Sequence, residues 1–203
     1  MSVAGIIKEF DSRKSVPVDV NEVLQALISR GIKDEIWFWD ADIDAKTLRG
    51  QLVHWDPAQD WEYPTDETQI TKRRVADIYY AKNLTDDWQR LVCCKELLHI
   101  LDPAGARAAT QEAVMRLTEK IVLPPDLQDV TDGYATATDR VALLQATAVL
   151  FPLRARELFK ADGTLSNAEI AKLVDIPSRY VAVVMSDSWP AIHKILIGLK
   201  SAA

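Results

Sequence analysis

The sequence is poor in the residues that build disulfide frameworks and zinc clusters, with two cysteines and three histidines among 203 residues. The two cysteines, Cys93 and Cys94, are adjacent. Consecutive side chains on a helix point about 100° apart, so these two cannot easily pair with each other. The pattern indicates neither a disulfide scaffold nor a zinc knuckle, and we expect two reduced cysteines in or beside the core.

Long apolar runs are also missing. No segment approaches the ~20 consecutive apolar residues that span a bilayer. The N-terminal stretch MSVAGIIKEFDSRK lacks the long apolar centre of a signal peptide. These absences predict a cytoplasmic protein without a membrane partner.

Basic residues are in the minority, since 24 Lys and Arg stand against 30 Asp and Glu and leave a net charge of −6. Nucleic-acid-binding surfaces rely on excess Lys and Arg to displace counterions from phosphates. The composition therefore disfavours a nucleic-acid partner. Only a local basic patch, such as Lys72-Arg73-Arg74, favours one.

The sequence does contain enough apolar residues, 48% of the total, to form one domain over residues 1–203. Strand-like runs occur at 36–39, 50–55 and 75–80, ahead of a strongly apolar helix. This order predicts an α+β fold, a mainly helical domain with a small three-stranded sheet packed on a central helix. Further helices are predicted at 19–31, 106–121, 136–160 and 168–185, and from Trp189 onwards. Pro152 should kink or split the helix at 136–160. Residues 2–14 are predicted to form a short helix or an ordered arm.

The central helix is predicted from Thr85, a candidate cap, to Pro103, which cannot continue it. Its apolar residues, including Leu97 and Leu98, cover most of its circumference, as in a helix buried inside a domain. Polar residues on such a buried helix indicate a structural or functional role. The run Lys-Glu-Leu-Leu-His at 95–99 is one residue away from His-Glu-x-x-His, in which two histidines hold zinc and the glutamate is the general base.

The order of segments around this run resembles the ImmA/IrrE family of metallopeptidases. That family has a strand, a helix carrying AHELGHLL, a helix carrying ExAnxFAxxLLMP and a short IAxxFxVSxxxVxxRL helix pair. The resemblance covers about residues 36–184 and implies a zincin-like fold. The second motif is matched by Ala142, Ala146, Leu150 and Pro152, and the third by Ile170, Ala171, Ile176, Pro177 and Val181.

The sequence departs from the family pattern at the positions that would bind metal. Lys95 replaces the first histidine ligand, and Val141 stands where the third ligand, a glutamate, would fall. Glu96 and His99 are kept. The resemblance therefore implies a pseudopeptidase without a cofactor, acting as a regulatory or interaction protein on a protein partner.

Two other functions stay open. One is an active metallo-endopeptidase with zinc as cofactor, Glu96 as general base and His99 as ligand. Its site would be rebuilt from His99 with Asp102, Asp139 or His54. The other is a DNA-binding regulator that uses the helix-turn-helix-like pair at 168–185, although only Arg179 there would face phosphate.

Lys95 itself suggests a structural role. Losing a metal would leave buried carboxylates without a counter-charge, which is costly. We predict that the Lys95 ammonium replaces the ion by pairing with Asp102 or Asp139, that His99 is a hydrogen-bonded core histidine, and that Glu96 no longer acts as a base. The milder interpretation is that Lys95 extends to solvent from a helix edge.

Two further segments are candidate contact surfaces. The region 56–71 reads as a long loop, and long loops in compact domains are often lids or binding loops. Trp55, Trp61 and Tyr63 lie in or beside it and could form a recognition surface or fold back over the sheet. The apolar C-terminal helix could dock on the body of the domain or on a second subunit, which leaves a homo-oligomer open.

Overall fold

The computed structural model describes residues 2–46, 48–55, 74–102 and 134–198. Within these residues the chain forms eight helices and three strands, an α+β arrangement as predicted. The elements are α1 (Val3–Phe10), α2 (Val20–Ser29), β1 (Glu35–Ala41), β2 (Gly50–Trp55), β3 (Val75–Ala81), α3 (Asp86–His99), α4 (Tyr134–Leu150), α5 (Leu153–Asp162), α6 (Asn167–Val174), α7 (Ser178–Met185) and α8 (Trp189–Gly198).

The sheet is mixed, with β3 in the middle. β1 pairs with β3 in parallel and β2 pairs with β3 antiparallel. Ala76 and Ile78 of β3 and Leu52 of β2 are buried in the core, on the side of the sheet that contacts α3. On the other face, Trp37 and Trp39 are about half exposed. Successive side chains of a strand point to opposite faces, so only one face of this sheet is dedicated to the core.

The central helix α3 lies where the sequence predicts it. Leu97 is fully buried and Leu98 is 2% exposed, which confirms that this helix is covered on most sides. Thr85 has the extended backbone of an N-cap, but its hydroxyl bonds Oδ1 of Asp87 at 2.5 Å instead of a backbone N–H. The two aspartates of the first turn, Asp86 and Asp87, suit the positive end of the helix.

Local sequence signals also determine where several other helices begin and end. Asp19 with Glu22 and Ser166 with Glu169 both form complete capping boxes, at the starts of α2 and α6. Pro152 separates α4 from α5, as expected for a residue that lacks a backbone N–H and restricts the residue before it.

The last helix packs on the body of the domain. In α8, Trp189 is fully buried, and Nε2 of His193 lies 2.8 Å from Oδ1 of Asp11, just after α1. The first and last helices of the described chain are therefore in direct contact.

Several predicted features lie outside the described residues. They are the loop at 56–71 with Trp61 and Tyr63, the helix at 106–121, the helix stop at Pro103, and Lys72-Arg73 of the basic patch. No helix in the described part of the chain combines the length and apolarity that a membrane span requires.

Candidate functional site

Lys95 is a buried cation on the central helix, only 6% exposed. Its ammonium donates a hydrogen bond to Oδ1 of Asp139 on α4, and its Nζ lies 2.8 Å from Oε1 of Glu96. The side chain does not extend to solvent from a helix edge. Asp102, the other partner considered for Lys95, is instead paired with His99.

Two opposing effects act on the pKa of Lys95. Burial lowers this pKa, because the charged form loses hydration, while the negative charges of Glu96 and Asp139 raise it. The charges prevail, and the pKa lies above its ordinary value of 10.5. Lys95 is therefore a protonated ammonium at neutral pH, without a lone pair to offer a metal ion.

Glu96 is 4% exposed, and its carboxylate forms an ion pair with Lys95, whose Nζ lies 2.8 Å from Oε1. A buried carboxylate of this kind depends on its counter-charge.

The first residue of β2 shapes the space around Glu96. A Cβ atom at Gly50 would lie 2.3 Å from Cγ1 of Val92 and 3.1 Å from Oε1 of Glu96. Only glycine allows the strand backbone to approach the helix this closely. The sheet edge thus forms one wall of the site.

His99 and Asp102 form a separate pair at the end of α3, with Nδ1 of His99 2.6 Å from Oδ2 of Asp102. The His99 side chain is 22% exposed. It is hydrogen-bonded as predicted, but its side chain is partly exposed and not in the core. The reason is its pairing at the end of α3 with Asp102, whose side chain is 45% exposed.

Among the described residues, Lys95, Val141 and His99 do not together supply the three protein ligands that a catalytic zinc ion normally takes. Val141 is buried and apolar and cannot ligate. Lys95 holds an ammonium that already neutralises the carboxylates of Glu96 and Asp139. Across residues 2–46, 48–55, 74–102 and 134–198, no three His, Cys, Asp or Glu side chains form a group that could hold an ion, so His99 is not joined there by Asp102, Asp139 or His54 in a rebuilt site.

The cysteines beside the site are unreactive by environment. Burial raises the pKa of both Cys93 and Cys94 to about 12. At neutral pH both are thiols, and the thiolate is the form that attacks disulfides or binds metal.

Sequence reasoning missed a cluster of arginines and aromatics around Trp88, two turns before Lys95 on α3. The guanidinium carbon of Arg49 lies 4.5 Å from the ring centroid of Trp88, and that of Arg179 lies 4.3 Å from the same centroid. Tyr180 packs edge-on against Trp88, with the ring centroids 5.7 Å apart. The signal that could have found it is Trp88 itself, a large aromatic in the first turn of a helix whose neighbours are charged.

The helix-turn-helix-like pair is present as α6 and α7. Arg179, the residue expected to face phosphate in the DNA-binding interpretation, is placed against Trp88 and Tyr180. Of the basic patch, Arg74 is described and bonds Asp34 through two hydrogen bonds of 3.1 and 2.8 Å.

A second missed feature is Asp77 on the middle strand, 5% exposed although it belongs to the outer face of the sheet. Its carboxylate accepts hydrogen bonds from the indole N–H groups of Trp39 at 2.9 Å and Trp55 at 2.7 Å. Trp55 is thus anchored on the sheet. The other two residues of the predicted recognition surface, Trp61 and Tyr63, lie outside the described residues.

Comparison with known proteins adds no relative: no family model matches the chain, and neither a curated protein nor a solved structure matches it.

Proposed function

We propose that this chain has a degenerate zincin-like metallopeptidase fold of the ImmA/IrrE type and acts as a regulatory protein through contacts with another protein. The observation that carries the proposal is the position of the Lys95 ammonium. It contacts the carboxylates of Glu96 and Asp139 at the place of the first metal ligand in the motif. The lysine supplies the positive charge that a metal ion would otherwise supply.

Three properties of the site support the loss of hydrolytic chemistry. The pKa of Lys95 is raised, so its nitrogen stays protonated and repels a divalent ion. Glu96 is already paired with Lys95, and a general base must instead hold the attacking water. His99 is then the one ligand kept from the motif, and one ligand does not hold a catalytic zinc ion.

Metal loading tests the proposal directly. The purified protein is incubated with one equivalent of zinc, desalted and measured for metal content and for hydrolysis of an unfolded protein substrate. We expect no stoichiometric zinc and no hydrolysis. The variant Lys95→His/Val141→Glu, which restores the ligand pattern, should take up zinc. Lys82→His serves as the matched control, because Lys82 is an exposed lysine paired with Asp42 at 3.1 Å and should gain no zinc.

The competing function is an active endopeptidase. Stoichiometric zinc in the unaltered protein, lost in His99→Ala, would establish that alternative and refute the proposal. A genetic measurement tests the second part of the proposal, that the protein acts as a regulator by binding another protein. If the protein acts by binding, His99→Ala, which leaves the buried Lys95–Glu96 pair intact, should reverse the transcriptional changes of a deletion strain as fully as the unaltered protein, whereas a peptidase would lose this ability with its metal ligand.

A further inference from the structure

Arg49 and Arg179 converge on one indole ring from distant parts of the chain. Arg49 comes just before β2, and Arg179 is in the first turn of α7. Both guanidinium carbons lie within 4.5 Å of the Trp88 centroid, a distance at which a cation is attracted to the ring face. The ring holds two like charges close together, and the attraction to the ring has to offset their mutual repulsion.

These two arginines differ from six other arginines of the described chain. Five of the six form ion pairs with carboxylates: Arg13 with Glu22, Arg30 with Glu9, Arg74 with Asp34, Arg90 with Asp175, and Arg154 with Glu157. Arg90 also bonds the backbone carbonyls of Val174 and Asp175, and the sixth, Arg156, bonds those of Val184 and Ser186. In the described part of the chain neither Arg49 nor Arg179 has a carboxylate within ion-pair distance, and Nε of Arg179 is buried without an acceptor.

Tyr180 provides an independent sign that both charges act on the same space. Burial raises the pKa of the Tyr180 phenol, while the charges of Arg179 and Arg49 both lower it. Asp139 acts on the same phenol with the opposite sign, but its carboxylate is already bonded to Lys95. The Tyr180 phenol therefore lies within reach of both guanidinium charges, with the carboxylate of Asp139 acting on it in the opposite sense.

Stacking also prepares a guanidinium for an anion. A guanidinium that packs on an aromatic face keeps the donors at its edge, and these match the oxygens of carboxylates and phosphates in pairs. Both arginine side chains are only partly buried, so a ligand can reach them. Being held against Trp88, they lose less freedom on binding than two solvated arginines would.

We propose that Arg49 and Arg179 form a binding site for an oxyanion, carried by a ligand as a phosphate group or as neighbouring carboxylates, at the junction of β2, α3 and α7. The site goes beyond the regulatory function proposed above, because it does not involve Lys95, Glu96 or His99 and would exist in an active peptidase as well. Trp88 is the positioning residue of the pair.

Isothermal titration with two probes tests the site and separates the sources of the oxyanion. Inorganic phosphate and a hexaglutamate peptide are each titrated into the full chain in low-salt buffer free of other oxyanions. We expect one binding site for at least one probe, weakened as salt is added. Arg49→Gln and Arg179→Gln should each weaken binding about tenfold, the loss expected for a charge-assisted hydrogen bond. Arg154→Gln, which removes an exposed arginine paired with Glu157, is the matched control and should bind normally.

Each outcome decides the proposal. Binding of phosphate alone identifies a phosphate ligand, and binding of the peptide alone identifies a carboxylate ligand. Arg49→Lys should retain part of the affinity, because it keeps the charge but not the paired donors. Absence of binding by both probes, or equal binding by the control and by Arg49→Gln, overturns the site. Thermal unfolding of every variant checks that it is folded, and Arg49→Gln, on a connection ahead of β2, carries the test if Arg179→Gln is unstable.

Discussion

Replacing Lys95 by methionine should strongly destabilise the domain. Methionine preserves most of the side-chain volume but leaves Glu96, whose side chain is 5% exposed, without its counter-charge. Removing one partner of a buried ion pair typically costs about 3–5 kcal/mol, because the remaining charge is not solvated. Asp139 adds little to this loss, since its side chain is 44% exposed and water screens it. Urea unfolding at pH 7 measures the change in the free energy of unfolding.

A matched control separates charge burial from the loss of any lysine. Lys82→Met removes an exposed ion pair with Asp42 and should cost far less than Lys95→Met. The double variant Lys95→Met/Glu96→Gln removes both buried charges and should regain much of the lost stability. If Lys95→Met is no more destabilising than Lys82→Met, Lys95 does not function as a buried counter-charge, and the reasoning fails.

Three further outcomes are expected. Gly50→Ala should cost about 1–3 kcal/mol by overpacking, because its Cβ meets the stiff side chain of Val92 at 2.3 Å; an unchanged urea midpoint would contradict the close approach of β2 to α3. Cys93 and Cys94 should resist iodoacetamide at pH 8 in the folded protein and react after unfolding, since burial raises the pKa of each thiol to about 12; rapid labelling of the native protein would show that the thiols are exposed. Stability should fall as the pH rises above 9, because the unfolded chain then releases thiol protons that the folded chain keeps. It should fall further above pH 10.5, where Lys95 remains protonated only in the folded state. Urea midpoints at pH 8 and pH 10 that agree would contradict the thiol shifts, and a loss of stability between pH 10 and pH 11.5 that is the same in Lys95→Met would contradict the Lys95 shift.

The sequence was informative wherever local chemistry decides the structure. The helix cap at Asp19, the capping box at Ser166, the break at Pro152 and the three strands are signals carried by a few neighbouring residues, and each appears in the structure. The burial of Leu97 follows in the same way from the nearly uniform apolarity of α3. The order of the strands, with β3 between β1 and β2, depends on long-range pairing and could not be derived from these signals.

The site was harder to anticipate, because its contacts join segments far apart in the chain. Lys95 was expected to meet a carboxylate, but only the packing of α4 on α3 brings Asp139 to it and leaves Asp102 to His99. The convergence of Arg49 and Arg179 on Trp88 carries no sequence motif at all. Such contacts depend on tertiary geometry, which spacing rules within one helix do not describe.

The contact between α1 and α8 has a consequence for synthesis of the protein. Ile6, Ile7 and Phe10 form the buried face of α1, and the elements that cover this face include α4 and α8. During translation these side chains leave the ribosome long before their partners are made. The nascent chain therefore exposes an apolar surface until α4 and α8 have been made, a state that favours aggregation and chaperone binding. A protein made without α8 would keep part of that surface exposed.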